Sequence, residues 1–219
     1  MTITDNLNRI RAALPLAVTL IAVTKTKPVA LLQEAYDAGS RDFGENRVQE
    51  MAEKQPQLPA DLHWHQIGHL QTNKVKYIAP FVHLIHAVDS LKLLDEINRQ
   101  AAKNQRVINC LLQIYIADED TKFGLLPDEA RALLNNSVFA TLTNVCITGL
   151  MGLATNTDNT AQVRQEFRSL KMLYDKLATI RRTNVQFDTL SMGMSGDYPI
   201  AVDEGSTMVR VGSAIFGAR

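Results

Sequence analysis

The chain has 219 residues, 46% of them hydrophobic and 21% charged, and its 23 basic side chains balance 23 acidic ones. That is the composition of an ordinary globular protein, and it excludes both a broad basic field for nucleic acid and a polybasic patch for a membrane surface. No apolar run is long enough to span a bilayer, and Met1 to Asn6 carry an acid and no apolar core, so a secretion signal is not expected and the expected compartment is the cytoplasm.

The hydrophobic pattern alternates between strand and helix from one end to the other. A short helix from about Asp5 to Ala13 precedes a first strand, Thr19 to Val23. Pro28 to Ala38 reads as a helix with Leu31, Leu32, Ala35 and Tyr36 on one side and Gly39 as its stop. Arg41 to Phe43 is a short second strand, and a polar helix follows to about Gln55, where Pro56 and Pro59 break it. Leu62 to Ile67 is a third strand with His63 and His65 on one face; Trp64 between them is expected to pack outward against helices. A helix over Gln71 to Ile78 leads to a fourth strand, Leu84 to Val88, and a helix from Leu91 to about Lys103.

Val107 to Ile116 is the longest strand; an acidic loop, Ala117 to Gly124, then leads to a helix from Pro127. Val145 to Leu150, Phe187 to Leu190 and Thr207 to Val211 are the sixth, seventh and eighth strands. A long amphipathic helix from Asn159 to Arg181 and a short one within Ser195 to Glu204 separate them. Cys110 and Cys146 both fall in strand-like runs and read as buried thiols of a reducing compartment rather than a disulfide. About eight βα units in a chain of this length predict an α/β fold, a single TIM-type (β/α)8 barrel over residues 1–219 with an extra N-terminal helix. An open doubly wound sheet is the alternative, but such sheets usually have fewer strands.

In a barrel the chemistry sits on the loops that follow the strands. Lys25 closes the first strand, on the same face as Ile21 and Val23. Burial there would disfavour the ammonium form and expose a nucleophilic amine, the chemistry of a Schiff-base lysine. The competing reading is a lysine that snorkels out at a strand end. After strand seven comes Ser191-Met192-Gly193-Met194-Ser195, and after strand eight Gly212-Ser213. Glycines, free N–H groups and serine hydroxyls at those two positions suit a phosphate, although any barrel needs glycine-rich turns. Arg210 shares a face with Met208, so its guanidinium points into the barrel mouth and needs a partner: a carboxylate, a phosphate, a heteroaromatic nitrogen or a structural acid. Five histidines invite a metal reading, but no carboxylate-rich strand ends accompany them and no metal is expected.

A lysine after strand one, phosphate loops after strands seven and eight and a buried arginine together suggest pyridoxal phosphate. The chain resembles the pyridoxal-phosphate homeostasis protein family, which is similar to the barrel domain of alanine racemase. The stretches that carry the resemblance are Ala22 to Pro28, Phe43 to Asn46, Trp64-His65 with Ile67-Gly68, Leu70 to Lys74, Gly149 to Met151, Leu190 to Ser195, and Gly205 to Arg210 continuing to Ile215-Phe216-Gly217. They span nearly the whole chain in order. The resemblance implies that pyridoxal 5'-phosphate binds as an aldimine of Lys25. Ser195 and the Gly212-Ser213 backbone would hold the phosphate, with Ser191 close by and Met194 in the same loop; Arg210 would face the pyridine nitrogen, and Asn46 and Met151 would line the ring pocket. Gln66 stands where the family commonly has an apolar residue, and Gly196 where it commonly has an acid.

The implied function is to bind, buffer and transfer the cofactor without catalytic turnover. A cation opposite the ring nitrogen makes the ring a poorer electron sink. A racemase also needs a second base, which alanine racemases take from an added domain that this sequence does not show. The competing functions are a weak amino-acid racemase and, from another class, a cofactor-free Schiff-base aldolase or isomerase. Lys122, beside Asp118, Glu119 and Asp120, is a candidate relay amine for hand-over to apo pyridoxal-phosphate enzymes, against the reading of a solvated loop lysine. The expected state is a monomer.

Overall fold

A computed structural model describes residues 2–117 and 123–217. Among the described residues eight parallel strands close into a barrel in sequence order: β1 (Thr19–Val23), β2 (Asp42–Glu45), β3 (His63–Gln66), β4 (Leu84–Val88), β5 (Ile108–Ile114), β6 (Val145–Gly152), β7 (Val185–Ser191) and β8 (Met208–Val211). β8 returns to β1, pairing Thr19 with Met208 and Ala22 with Val211. The TIM-type (β/α)8 barrel expected from the alternating pattern is therefore the fold. The extra N-terminal helix is α1 (Ile3–Ala13), which starts two residues earlier than expected because Thr2 and Asp5 form a reciprocal capping box.

The connecting helices are α2 (Val29–Asp37), α3 (Val48–Lys54), α4 (Val75–Ile78), α5 (Leu91–Lys103), α6 (Pro127–Asn135), α7 (Thr160–Leu177) and α8 (Tyr198–Asp203). A last turn, α9 (Ser213–Phe216), follows β8 directly and was not anticipated. The main core lies between the sheet and these helices. Trp64 packs there edge-on against Phe43, their ring centroids 6.0 Å apart, as its outward-facing position required. Cys110 is buried and Cys146 half-buried, and neither is in a disulfide.

Inside the barrel a second, smaller cluster gathers Ile21, Leu84, Ala87, Leu111, Met151 and Met208. Gly149 lets β6 approach β7 at an irregularity in their register. Its φ is +156°, and a Cβ there would lie 1.7 Å from the carbonyl oxygen of Thr189, so only glycine fits. Beyond that point β6 runs on to Gly152 and β7 to Ser191, each past the strand end expected from sequence. Two candidate residues move as a result.

Candidate functional site

A cavity of about 420 Å³ opens at the C-terminal ends of the strands, over the seam between β8 and β1. Lys25, Asn46, Met194, Ser195, Arg210, Gly212 and Ser213, all candidates from sequence, line it together. Val23, Thr26, Lys27, Ile67, Leu153, Gly196 and Gly217 complete the wall. Ser191 and Met151 are not on the wall. Both side chains lie one layer deeper in the barrel, Met151 in the apolar interior cluster and Ser191 beneath Arg210. The longer course of β6 and β7 explains both displacements: with a period of two, the residue that reaches the mouth is Leu153, just past the end of β6, rather than Met151. Lys122 lies outside the described residues.

Lys25 sits half-buried in the turn that follows β1. That turn is held from behind. Thr26 has a left-handed backbone, φ 65°, and its N–H donates to Glu50 Oε1. Glu50 Oε1 also accepts from Lys54 Nζ at 2.6 Å. The same ammonium donates to Glu45 Oε1 and to the carbonyl of Thr24, both at 2.8 Å. Thr24 Oγ1 donates to Glu45 Oε1 at 2.6 Å. Lys54 is only 6% exposed and Glu45 fully buried, so this is a buried ionic brace under the lysine turn. Burial raises the Glu45 carboxyl above its ordinary value, against the pull of Lys54 and Thr24. Little in the sequence signals the brace, because α3 reads as a polar helix; the Glu50–Lys54 spacing of four residues is the one local sign of a pair.

The opposite wall is built from N–H groups and a hydroxyl. The backbone N–H groups of Gly212 and Ala214 both donate to Ser195 Oγ, at 3.1 and 3.5 Å. Gly193 makes the loop possible: its φ is +97° and a Cβ would come within 2.6 Å of Ala201 Cβ. Its carbonyl accepts from the N–H of Arg210, and the N–H of Met194 donates to Asp197 Oδ1. Lys27 reaches across the seam and donates to the carbonyls of Phe216 and Gly217, both at 3.3 Å.

Arg210 forms the floor. It is 4% exposed, and its guanidinium donates to Ser191 Oγ at 2.5 Å and to the Gly152 carbonyl at 3.0 Å. Both are uncharged oxygens. Burial lowers the guanidinium pKa to about 10, with Asp197 pulling the other way, so Arg210 is a cation at neutral pH. Gln66 donates to the carbonyls of Asn46 and Gly68, each at 3.0 Å, and so fixes the loop that brings Asn46 to the wall. Its polarity therefore has a local structural use. Gly196 lies on the wall itself.

An amine, a hydroxyl ringed by N–H groups and a buried cation around one cavity suit a phosphorylated heteroaromatic aldehyde. The Alanine racemase, N-terminal domain family model matches residues 1–219. The pyridoxal phosphate homeostasis protein of Haemophilus influenzae is 40% identical, over all of this chain and 97% of that protein. That of Aquifex aeolicus is 42% identical, over 91% of this chain and 86% of that protein. PipY of Synechococcus elongatus PCC7942 superposes with a TM-score of 0.92 without PLP and 0.90 with PLP bound, at 38% identity over 99% of this chain and all of PipY. Alanine racemase of Clostridium difficile 630 shares the fold, with a TM-score of 0.80 at 16% identity over 57% of its length. Among the described residues no helix is long and apolar enough to cross a membrane. Sequence, fold and the relatives at these identities agree that the chain belongs to the pyridoxal phosphate homeostasis protein family, whose barrel is that of the alanine racemase N-terminal domain.

Proposed function

We propose that this protein binds pyridoxal 5'-phosphate in the seam cavity, holds it covalently through Lys25, and gives it up intact. The observation that carries the reading is the convergence of Lys25, Ser195, Gly212, Ser213 and Arg210 on one cavity of about 420 Å³. The likeness to PipY, solved with PLP bound, supports it. When bound, the cofactor supplies an electrophilic aldehyde. Lys25 Nζ would hold that carbon with loss of one water, and an incoming primary amine would add to the same carbon and release Lys25 as the free amine, with no water lost. Ser195 Oγ and the N–H groups of Gly212 and Ala214 receive the phosphate oxygens.

The wall also supports holding over turnover. Among its described residues the titratable side chains are Lys25, Lys27 and Arg210, with no carboxylate, histidine or tyrosine to take a proton from a substrate carbon. A permanent cation on the floor disfavours a proton on the ring nitrogen.

Borohydride reduction of the loaded protein followed by peptide mapping tests the covalent link: the label is expected on Lys25, and Lys25→Ala is expected to lose the visible absorbance band. A Lys25→Ala protein with an intact covalent chromophore overturns the assignment. Incorporation of solvent deuterium at the α-carbon of added amino acids tests the absence of turnover, and none above the free-cofactor rate is expected.

A further inference from the structure

Beneath Arg210 the hydrogen bonds continue through the barrel interior, away from the cavity. Ser191 Oγ, which accepts from Arg210, lies 3.1 Å from His86 Nδ1. His86 Nε2 lies 3.0 Å from His65 Nδ1, and His65 Nε2 lies 3.1 Å from Asp42 Oδ1. His65 and His86 are at most 1% exposed. Asp42 opens β2, at the opposite end of the barrel from the cavity.

The two ends fix the direction of the chain. A guanidinium only donates and a carboxylate only accepts. With both imidazoles neutral, each link has one donor and one acceptor in a single order. Arg210 donates to Ser191, Ser191 to His86 Nδ1, His86 Nε2–H to His65 Nδ1, and His65 Nε2–H to Asp42. An extra proton on the pair would reverse the middle links, so that His65 donates to His86 and His86 to Ser191.

We propose that Asp42, His65 and His86 are positioning residues for Arg210: the Asp42 carboxylate sets both imidazole tautomers, which turn the Ser191 lone pair toward the guanidinium and fix where it points in the cavity. The consequence for the ligand rests on the proposed cofactor site; the chain itself is a property of the unloaded protein. The surroundings favour the neutral order. Burial holds the pKa of His65 below its ordinary value and that of His86 well below it, and the charges of His65, Arg210 and His83 add to the effect on His86. Burial would raise the Asp42 carboxyl, but the hydrogen bonds and charge of His65, and those of His63, outweigh it and keep it low. His63 also reaches Asp42 Oδ1, at 3.1 Å, and His83 stacks on His63 with centroids 4.2 Å apart. Asp42, His63, His83 and Arg210 are thus the charged and titratable groups that face the pair.

Imidazole nitrogen NMR on the full, unloaded chain at pH 7.5 reads the tautomers directly. Both His65 and His86 are expected as neutral Nε2–H forms. A His86 that is cationic or carries its proton on Nδ1 overturns the proposal, with no variant needed. In Asp42→Ala the His65 signals are expected to become a mixture of tautomers, and unchanged signals also overturn it. Pyridoxal phosphate titration then reads the consequence. Kd is expected to rise about tenfold in Asp42→Ala and in His86→Phe, the scale of one lost orienting hydrogen bond, while borohydride still traps the label on Lys25. An unaltered Kd in both variants overturns the positioning role. If the tautomers are as expected but the wild-type protein binds no pyridoxal phosphate, the cofactor reading fails and the chain stands.

Discussion

Among the described residues two cationic side chains, Lys54 and Arg210, are buried, and they are treated differently. Lys54 meets carboxylate oxygens of Glu45 and Glu50 directly, at 2.8 and 2.6 Å. Arg210 donates only to uncharged oxygens, and its hydrogen-bond chain reaches a carboxylate only beyond Ser191, His86 and His65. A cation that touches its counter-charge is satisfied within the protein and serves as a brace. A cation that touches only uncharged oxygens, with Asp197 acting on it without a hydrogen bond, keeps more of its field for whatever enters the cavity. The same kind of charge is tied up under β1 and lines an open cavity under β8.

Lys54 and Arg210 should respond differently to substitution. Lys54→Met strands a fully buried carboxyl and is expected to cost about 3–5 kcal/mol in urea denaturation. Arg210→Met leaves two uncharged acceptors short of a donor, with an expected cost of about 1–3 kcal/mol in the unloaded protein. A loss as large as that of Lys54→Met would show that Arg210 is a structural cation after all. Ser195→Ala removes the hydroxyl on which two N–H groups converge and is expected to weaken pyridoxal phosphate binding about tenfold, or about 1.4 kcal/mol.

The smallest effect is a pH dependence. The raised Glu45 pKa means that the folded protein binds this proton more tightly than the unfolded chain does. Its contribution to stability is therefore full below the ordinary value of 4.5 and is lost as pH rises through the raised folded value. Glu45→Gln should abolish that share of the slope, so the stability of wild type relative to Glu45→Gln is expected to fall from pH 4 to pH 8. A difference that stays flat or rises would show that Lys54 and Thr24 outweigh the burial of the Glu45 carboxyl.

How much of this was legible in the chain depends on how local the cause was. β4 and α5 were readable to the residue, because a clean apolar run is followed by Ser90, which caps the helix by accepting from the N–H of Leu93. The lengths of β6 and β7 were not, because Met151-Gly152 and Ser191 look like loop residues until the inside of a closed barrel is found to accept small and polar side chains. Most candidates that reached the cavity, among them Lys25, Asn46, Arg210 and Gly212, stand at or just beyond strand ends that were placed within a residue or two. The His65–His86 contact joins neighbouring strands and needs their register, and the Lys54 brace needs the packing of α3 over the outer face of β2. Neither is written in any local pattern.

The seam gives the cavity a particular place in folding. Two facing parts of its wall follow β1 and β8, the first and last strands in the chain, and Lys27 is fastened to the carbonyls of Phe216 and Gly217 across that join. The pocket does not exist until the ring has closed, so it forms with the most non-local pairing in the molecule. A small molecule that touches both walls acts as a clasp. Each tenfold excess over its dissociation constant adds about 1.4 kcal/mol against opening of the ring. Loaded and unloaded protein should therefore differ in how fast the barrel opens as well as in colour.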